Sequence, residues 1–259
     1  MGFIMTIDEV FENPTVKEVI FQIRYPNLFY IENKIGELQL RIMEVFPNSA
    51  LLHRRQIVLT DLGPDGEFIK PPDLDEETGK KVWQFESDKG FKLNITGDSL
   101  DITSNYHKTY NLDDGSEKFR DIIEFVIGNF MEVMQIPIIL RIGLRYIDEC
   151  PIHSKDNESF SSWYNSSFPL KRFNLSDALE MDFKTVIKTD NEYLRYVESL
   201  QEVNGKPVLI LDFDGYTMNI KTKDFIEVTD RLHDIILAEY EKTITETVKD
   251  YMRDGKNES

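Results

Sequence analysis

Ile138-Ile139-Leu140-Arg141-Ile142-Gly143-Leu144-Arg145-Tyr146-Ile147 alternates in character: Leu140, Ile142, Leu144 and Tyr146 share one face, and Arg141, Gly143 and Arg145 the other. A period of two marks a strand with one buried face. An earlier stretch has the same form. In Val19-Ile20-Phe21-Gln22-Ile23-Arg24-Tyr25, positions 19, 21, 23 and 25 are apolar, and Ile20, Gln22 and Arg24 face the other way. The two stretches align as Phe21-x-Ile23-Arg24-Tyr25 and Ile142-x-Leu144-Arg145-Tyr146. Each opens a similar run of elements, so the chain reads as two copies of one unit.

In the first copy, Ile31, Ile35, Leu38, Ile42 and Val45 step by four and three, which predicts an amphipathic helix closed by Pro47-Asn48. Strands are expected at 53–60, 81–87, 90–96 and 99–104, with tight turns at Asp88-Lys89-Gly90 and Gly97-Asp98. Residues 61–80, with Gly63-Pro64-Asp65-Gly66 and an acidic run, read as an exposed loop. A helix is expected at 116–133. In the second copy a polar stretch, 151–175, holds a short helix near Phe160–Tyr164. Strands follow near 178–188, 192–202 and 207–214, with a short one at 216–220. A long helix at 224–252 ends the pattern, with Asp224 and Glu227 spaced as a capping box.

The expected fold class is therefore α+β. Two tandem β-α-β4-α-like units, 1–134 and 135–259, form one pseudo-symmetric body, an antiparallel saddle or partly open barrel backed by long helices. This order resembles the TATA-binding-protein-like topology, in which the first strands of two units lie side by side. A likeness of fold lends no function.

Composition narrows the function classes. The 259 residues carry 30 Lys+Arg against 47 Asp+Glu, a net charge of −17. That balance argues against general nucleic-acid binding, which needs cations to displace counterions from phosphates. No run of about 18 uncharged apolar residues is present, so no membrane span is expected. The start has neither the basic flank nor the apolar run of a signal peptide, and a cytoplasmic protein is expected. A single cysteine, Cys150, excludes an internal disulfide.

Several phrases, in order, resemble a sporadically distributed prokaryotic family of about this length without an assigned activity. They are Asn13-Pro14-x-x-x-Glu18-Val19-Ile20-Phe21, Trp83-Gln84-Phe85, Tyr106-x-x-x-Tyr110 and Leu144-Arg145-Tyr146-Ile147, then Leu232-His233, Ile244-Thr245 and Met252. Asp148 stands where Asn is expected. The resemblance covers most of the chain. It implies full-length membership and a prokaryotic or mobile-element source, and it lends no reaction.

The chemistry-bearing residues give three readings. Gln22, Arg24, Arg141 and Arg145 share the polar faces of the two matching strands. If those strands pair, the arginines cluster on an acidic protein, and guanidinium forks suit carboxylates and phosphates. Internal salt bridges are the competing explanation. The preferred function is thus a non-enzymatic interaction or ligand-binding protein, an accessory subunit in a prokaryotic defence or mobile-element system. Its partner would be a protein or an anionic ligand, and an open sheet also favours homo-oligomers. As a second reading, Asp212 and Asp214 lie two apart, on one strand face, as the start of a Mg²⁺ or Mn²⁺ site for phosphoester chemistry. An exposed strand end entering a turn at Gly215 is the favoured explanation of the pair. The third reading is an acidic mimic of nucleic acid. His53, His107, His153 and His233 lack ligand spacing, and Cys150 with His153 is too local a pair to mark a nucleophile. No phosphate-loop, dinucleotide or nucleophile-elbow motif is present, and no cofactor is expected.

Overall fold

The computed structural model describes residues 9–54, 80–105, 109–113 and 115–254. The first matching stretch is strand β1 (Val16–Arg24), followed by helix α1 (Ile31–Ile42). Four more strands follow: β2 (Asn48–Arg54), β3 (Lys80–Glu86), β4 (Phe91–Ile95) and β5 (Ser99–Ser104). Helix α2 (Phe119–Met134) ends at Gln135, which takes the left-handed conformation and donates its N–H to Met131. The second matching stretch opens β6 (Ile138–Pro151). After a short α3 (Asn157–Trp163) come β7 (Met181–Thr189), β8 (Glu192–Val203) and β9 (Lys206–Lys221). Helices α4 (Phe225–Thr243) and α5 (Glu246–Asp254) complete the described chain.

Among the described residues the strands form one nine-stranded antiparallel sheet in the order β2-β3-β4-β5-β1-β6-β9-β8-β7. The two matching strands meet at its centre: Phe21 lies opposite Leu144, Gln22 opposite Gly143 and Arg24 opposite Arg141. Alternation then sorts the sheet. Val19, Phe21, Ile23, Ile142, Leu144 and Phe213 are buried in one continuous core with residues of α1, α2 and α4. Gln22, Arg24, Arg141 and Arg145 stand on the opposite face. Gly215 of β9 faces α4 at close range. A Cβ there would lie 3.2 Å from Ile236 Cδ1 and 3.5 Å from the Leu232 carbonyl, so its lack of a side chain lets the helix settle on the sheet.

Several sequence expectations shift. The strand expected at 53–60 begins at Asn48, because Asn48–Arg54 pairs in register with Lys80–Glu86. Residues 55–60, nearly all of the loop at 61–80, Tyr106 and His107 lie outside the described residues. The separate strands at 207–214 and 216–220 are one strand, β9. Leu140, expected on the buried face, is 38% exposed, and Ile139 is buried instead. The alternation slips there because Asn219, between the partners of Ile139 and Arg141, has a left-handed backbone (φ 56°).

The long last helix is broken. Ile244 is extended, and the 243–245 segment pairs with the chain after α3: Asn165 N–H bonds to the Thr243 carbonyl and Thr245 N–H to that of Trp163. The apolar stripe survives the break because Val248 and Met252 on α5 still reach the core. Asp224 ends a turn of 3₁₀ helix and makes no capping bond, so the expected capping box is absent. No helix in the described residues is long and apolar enough to cross a membrane.

Candidate functional site

Two places gather the chemistry. The first is the outer sheet face, where the sequence-selected residues come together. A transverse row runs Gln84, Asn94, Asp101, Gln22, Gly143, Tyr216, Tyr193, each opposite the next across β3 to β8. Its side chains are linked. Gln84 Nε2 donates to Asn94 (2.9 Å), and Gln22 Nε2 donates to Asp101 (2.6 Å). Gln22 Oε1 accepts from Arg24 Nε (3.2 Å) and Arg141 Nη1 (3.3 Å). Tyr193 and Tyr216 stack at 5.1 Å.

The arginines of this face hold partners of their own chain. Arg141 Nη2 reaches both oxygens of Asp214 (2.9 and 3.0 Å) while its guanidinium lies 4.7 Å over the Tyr216 ring. Arg145 grips Asp212 through two parallel bonds of 2.6 and 2.9 Å, and Arg195 adds a third at 3.1 Å. Bidentate pairing of this kind is among the stronger polar contacts. Asp212 and Asp214 do share a face, yet each carboxylate is met by guanidinium. A divalent ion would first have to displace an arginine. Among the described residues no three or more metal-ligating side chains cluster as an ion site. An anion would likewise compete with Asp212 and Asp214 for Arg145 and Arg141. Arg24, exposed and bonded to Gln22, is the most available of the sequence-selected cations.

Gly143 makes this arrangement possible. A Cβ there would stand 2.7 Å from Arg141 Nη1 and 3.1 Å from its Cζ. Gly143→Ala is therefore expected to push the guanidinium off Tyr216 and Asp214. A double-mutant cycle on Arg141 and Asp214, read by urea unfolding, should give a coupling of about 1 kcal/mol with Gly143 present and near zero in the Gly143→Ala background. Equal coupling in both backgrounds would show that Gly143 does not shape the pair.

The second place is a cavity of about 290 Å³ on the core side, under α4. Asp148 and Tyr146 of β6 and Phe213 of β9 face it from the sheet. His233, Leu237 and Tyr240 face it from α4. Asp148 is nearly fully buried, and its Oδ1 accepts from the Thr15 hydroxyl at 2.8 Å. Thr15 in turn lies 2.7 Å from the Tyr240 hydroxyl. Burial pushes the Asp148 carboxyl up to about 7, against a smaller opposite pull from Thr15. The thiol of Cys150 and the phenol of Tyr240 are also pushed well up by burial.

Local structure explains how Thr15 gets there. The β1–β6 register shifts between Val16 and Glu18, a bulge that re-aims the chain next to Asp148. The Thr15 carbonyl then accepts from Glu149 N–H, and Asn13 N–H bonds to the Met252 carbonyl. Glu9 is clasped by Arg253 at 2.7 and 3.1 Å. The segment from Glu9 to Thr15 is thus a wall tied to β6 and α5. On another side Tyr110 stacks on His233 (4.1 Å) and donates to Asp230 at 2.8 Å, which also takes a bidentate grip from Arg120.

No motif or spacing in the sequence marks this cavity, although one signal points to it. Asp148 lies in phase with Ile142, Leu144, Tyr146 and Cys150, so an acid stands in the buried row. Comparison of the chain with protein-family models, curated proteins and solved structures found no match.

Proposed function

We propose that this chain is a non-catalytic binding protein whose small-molecule ligand occupies the cavity between α4 and the sheet. The observation that carries the reading is a partly enclosed, mainly apolar space with one buried carboxyl in its wall. A pocket with a few convergent polar groups and a perturbed acid is the favoured place for a ligand. Its volume suits a molecule of roughly ten non-hydrogen atoms, since an apolar cavity of about 150 Å³ holds benzene. Burial keeps Tyr240 in the lining and nearby Cys150 protonated, so neither offers a ready nucleophile to a ligand in the cavity. A thiol so held is a poor nucleophile.

The outer face supports the arginine reading less well, since Arg141 and Arg145 are already engaged. Pairing of β1 with β6 at the sheet centre supports two tandem units in the TATA-binding-protein-like order, with β1 to β5 on one side and β6 to β9 on the other. The role of accessory subunit in a prokaryotic defence or mobile-element system rests on the family resemblance.

A fragment screen by ligand-observed NMR tests the cavity. Fragments should bind the native chain and Arg145→Ala alike, and lose binding in Leu237→Trp, whose indole fills the space. Fragments that ignore Leu237→Trp, or a screen with no binders, would overturn the reading.

A further inference from the structure

The charge around the cavity selects among ligands. Among the described residues no lysine or arginine lines it. Its lining acids are Glu9, Asp148 and Asp234. Glu9 is neutralised by Arg253, and Asp234 is mostly exposed beside His233. Asp148 is left as the acid set deep in the wall, with Thr15 its neighbour on one oxygen. An anionic ligand would meet no lysine or arginine there, and it would be repelled by the buried Asp148 carboxylate. A cation would meet an opposite charge at a buried carboxylate, and Tyr146, Tyr110 and Phe213 line the space with aromatic rings, which attract cations when one sits over them.

Resting on the cavity reading above, we propose that the ligand is a small amine bound as its ammonium ion. The Asp148 carboxylate receives the ammonium, and the carbon body lies against the aromatic wall and Leu237. This turns the expected ligand charge from anionic to cationic. It also gives the chain's net charge of −17 a role, since an acidic surface raises the local concentration of cations.

Three probes of one shape and different charge test it: benzylammonium, benzyl alcohol and benzoate, titrated calorimetrically at pH 8. Benzylammonium should bind at least about tenfold more tightly than the alcohol, and benzoate should give no heat. In Asp148→Asn the ratio of ammonium to alcohol affinity should fall from at least about ten to about one. Leu237→Trp should abolish binding of both. Alcohol binding as tight as ammonium binding, or a preference that survives Asp148→Asn, overturns the amine proposal. The cavity reading stands in that case if Leu237→Trp still abolishes binding. Silence from all three probes overturns the amine proposal, and the fragment screen then decides the cavity separately.

Discussion

Asp212→Ala will lower the unfolding free energy by roughly 2–4 kcal/mol, the cost of breaking a partly buried ion pair from the enclosed side. The Asp212 side chain is 11% exposed and accepts from two arginines. Its removal leaves Arg145 and Arg195 side by side without the carboxylate they share, and with Asp214 and Glu18 as more distant acids. Both guanidiniums keep some contact with water, which holds the cost below that of a fully buried pair. Arg145→Ala leaves Asp212 still paired with Arg195, and the Arg145 side chain is 39% exposed, so its cost should be about 1 kcal/mol, the upper end for a solvent-exposed ion pair. Urea unfolding of the two variants at neutral pH checks the asymmetry. Equal costs would mean that Asp212 is not the hub of this face. The same result bears on the metal reading, because a carboxylate that anchors two arginines is a structural group first.

Asp148→Asn should make the protein more stable at pH 8. The folded carboxyl is held near 7, whereas in an unfolded chain it titrates near 3.9. Between those values the folded state binds the proton and the unfolded state does not. Stability contributed by this group is therefore greatest below pH 4, falls as pH rises to about 7, and is level beyond. The gap of about three units corresponds to roughly 4 kcal/mol. Asn keeps an acceptor for Thr15 and carries no charge. The difference in stability between Asp148→Asn and the native chain should be small at pH 4 and grow to that size at pH 8. Taking the difference removes the contributions of paired acids such as Asp98, whose lowered pKa acts in the opposite direction. Neighbouring Tyr146, Cys150 and Tyr240 are pushed up and stay protonated through this window. A flat difference would show that Asp148 is solvated in the folded state. The expected destabilisation also has a functional sense: a cation arriving beside Asp148 would offset it.

Alternation and helical spacing make much of the architecture readable. The buried rows of β1 and β6, the stripe of α1 and the hairpins through β3, β4 and β5 follow from local pattern. The matching Arg-Tyr phrases anticipate the pairing of β1 with β6, which places Gln22, Arg24, Arg141 and Arg145 on one face. The misses have a common cause, which is contact between distant segments. Ile244 leaves the helical path because the backbone at Trp163 and Asn165 bonds to the segment around it. Leu140 turns outward because Asn219 across from it is left-handed. β2 starts early because β3 offers a partner there. The cavity was hidden for the same reason. Its wall takes Thr15, Tyr110, Asp148 and Tyr240 from four separate segments, and only folding sets them around one space. Asp148 alone was legible, as a charge in a buried row.

Methyl-labelled protein, titrated with the small-molecule extract of its own cells, offers the most direct test of the cavity as the binding site. Met252 lines the cavity and Met218 lies half-exposed on β9, far along the sheet. The account predicts that the Met252, Leu237 and Ile236 methyl signals move while Met218 and Ile20 stay. Movement of Met218 and Ile20 while Met252 stays still would place binding on the outer sheet face and contradict it.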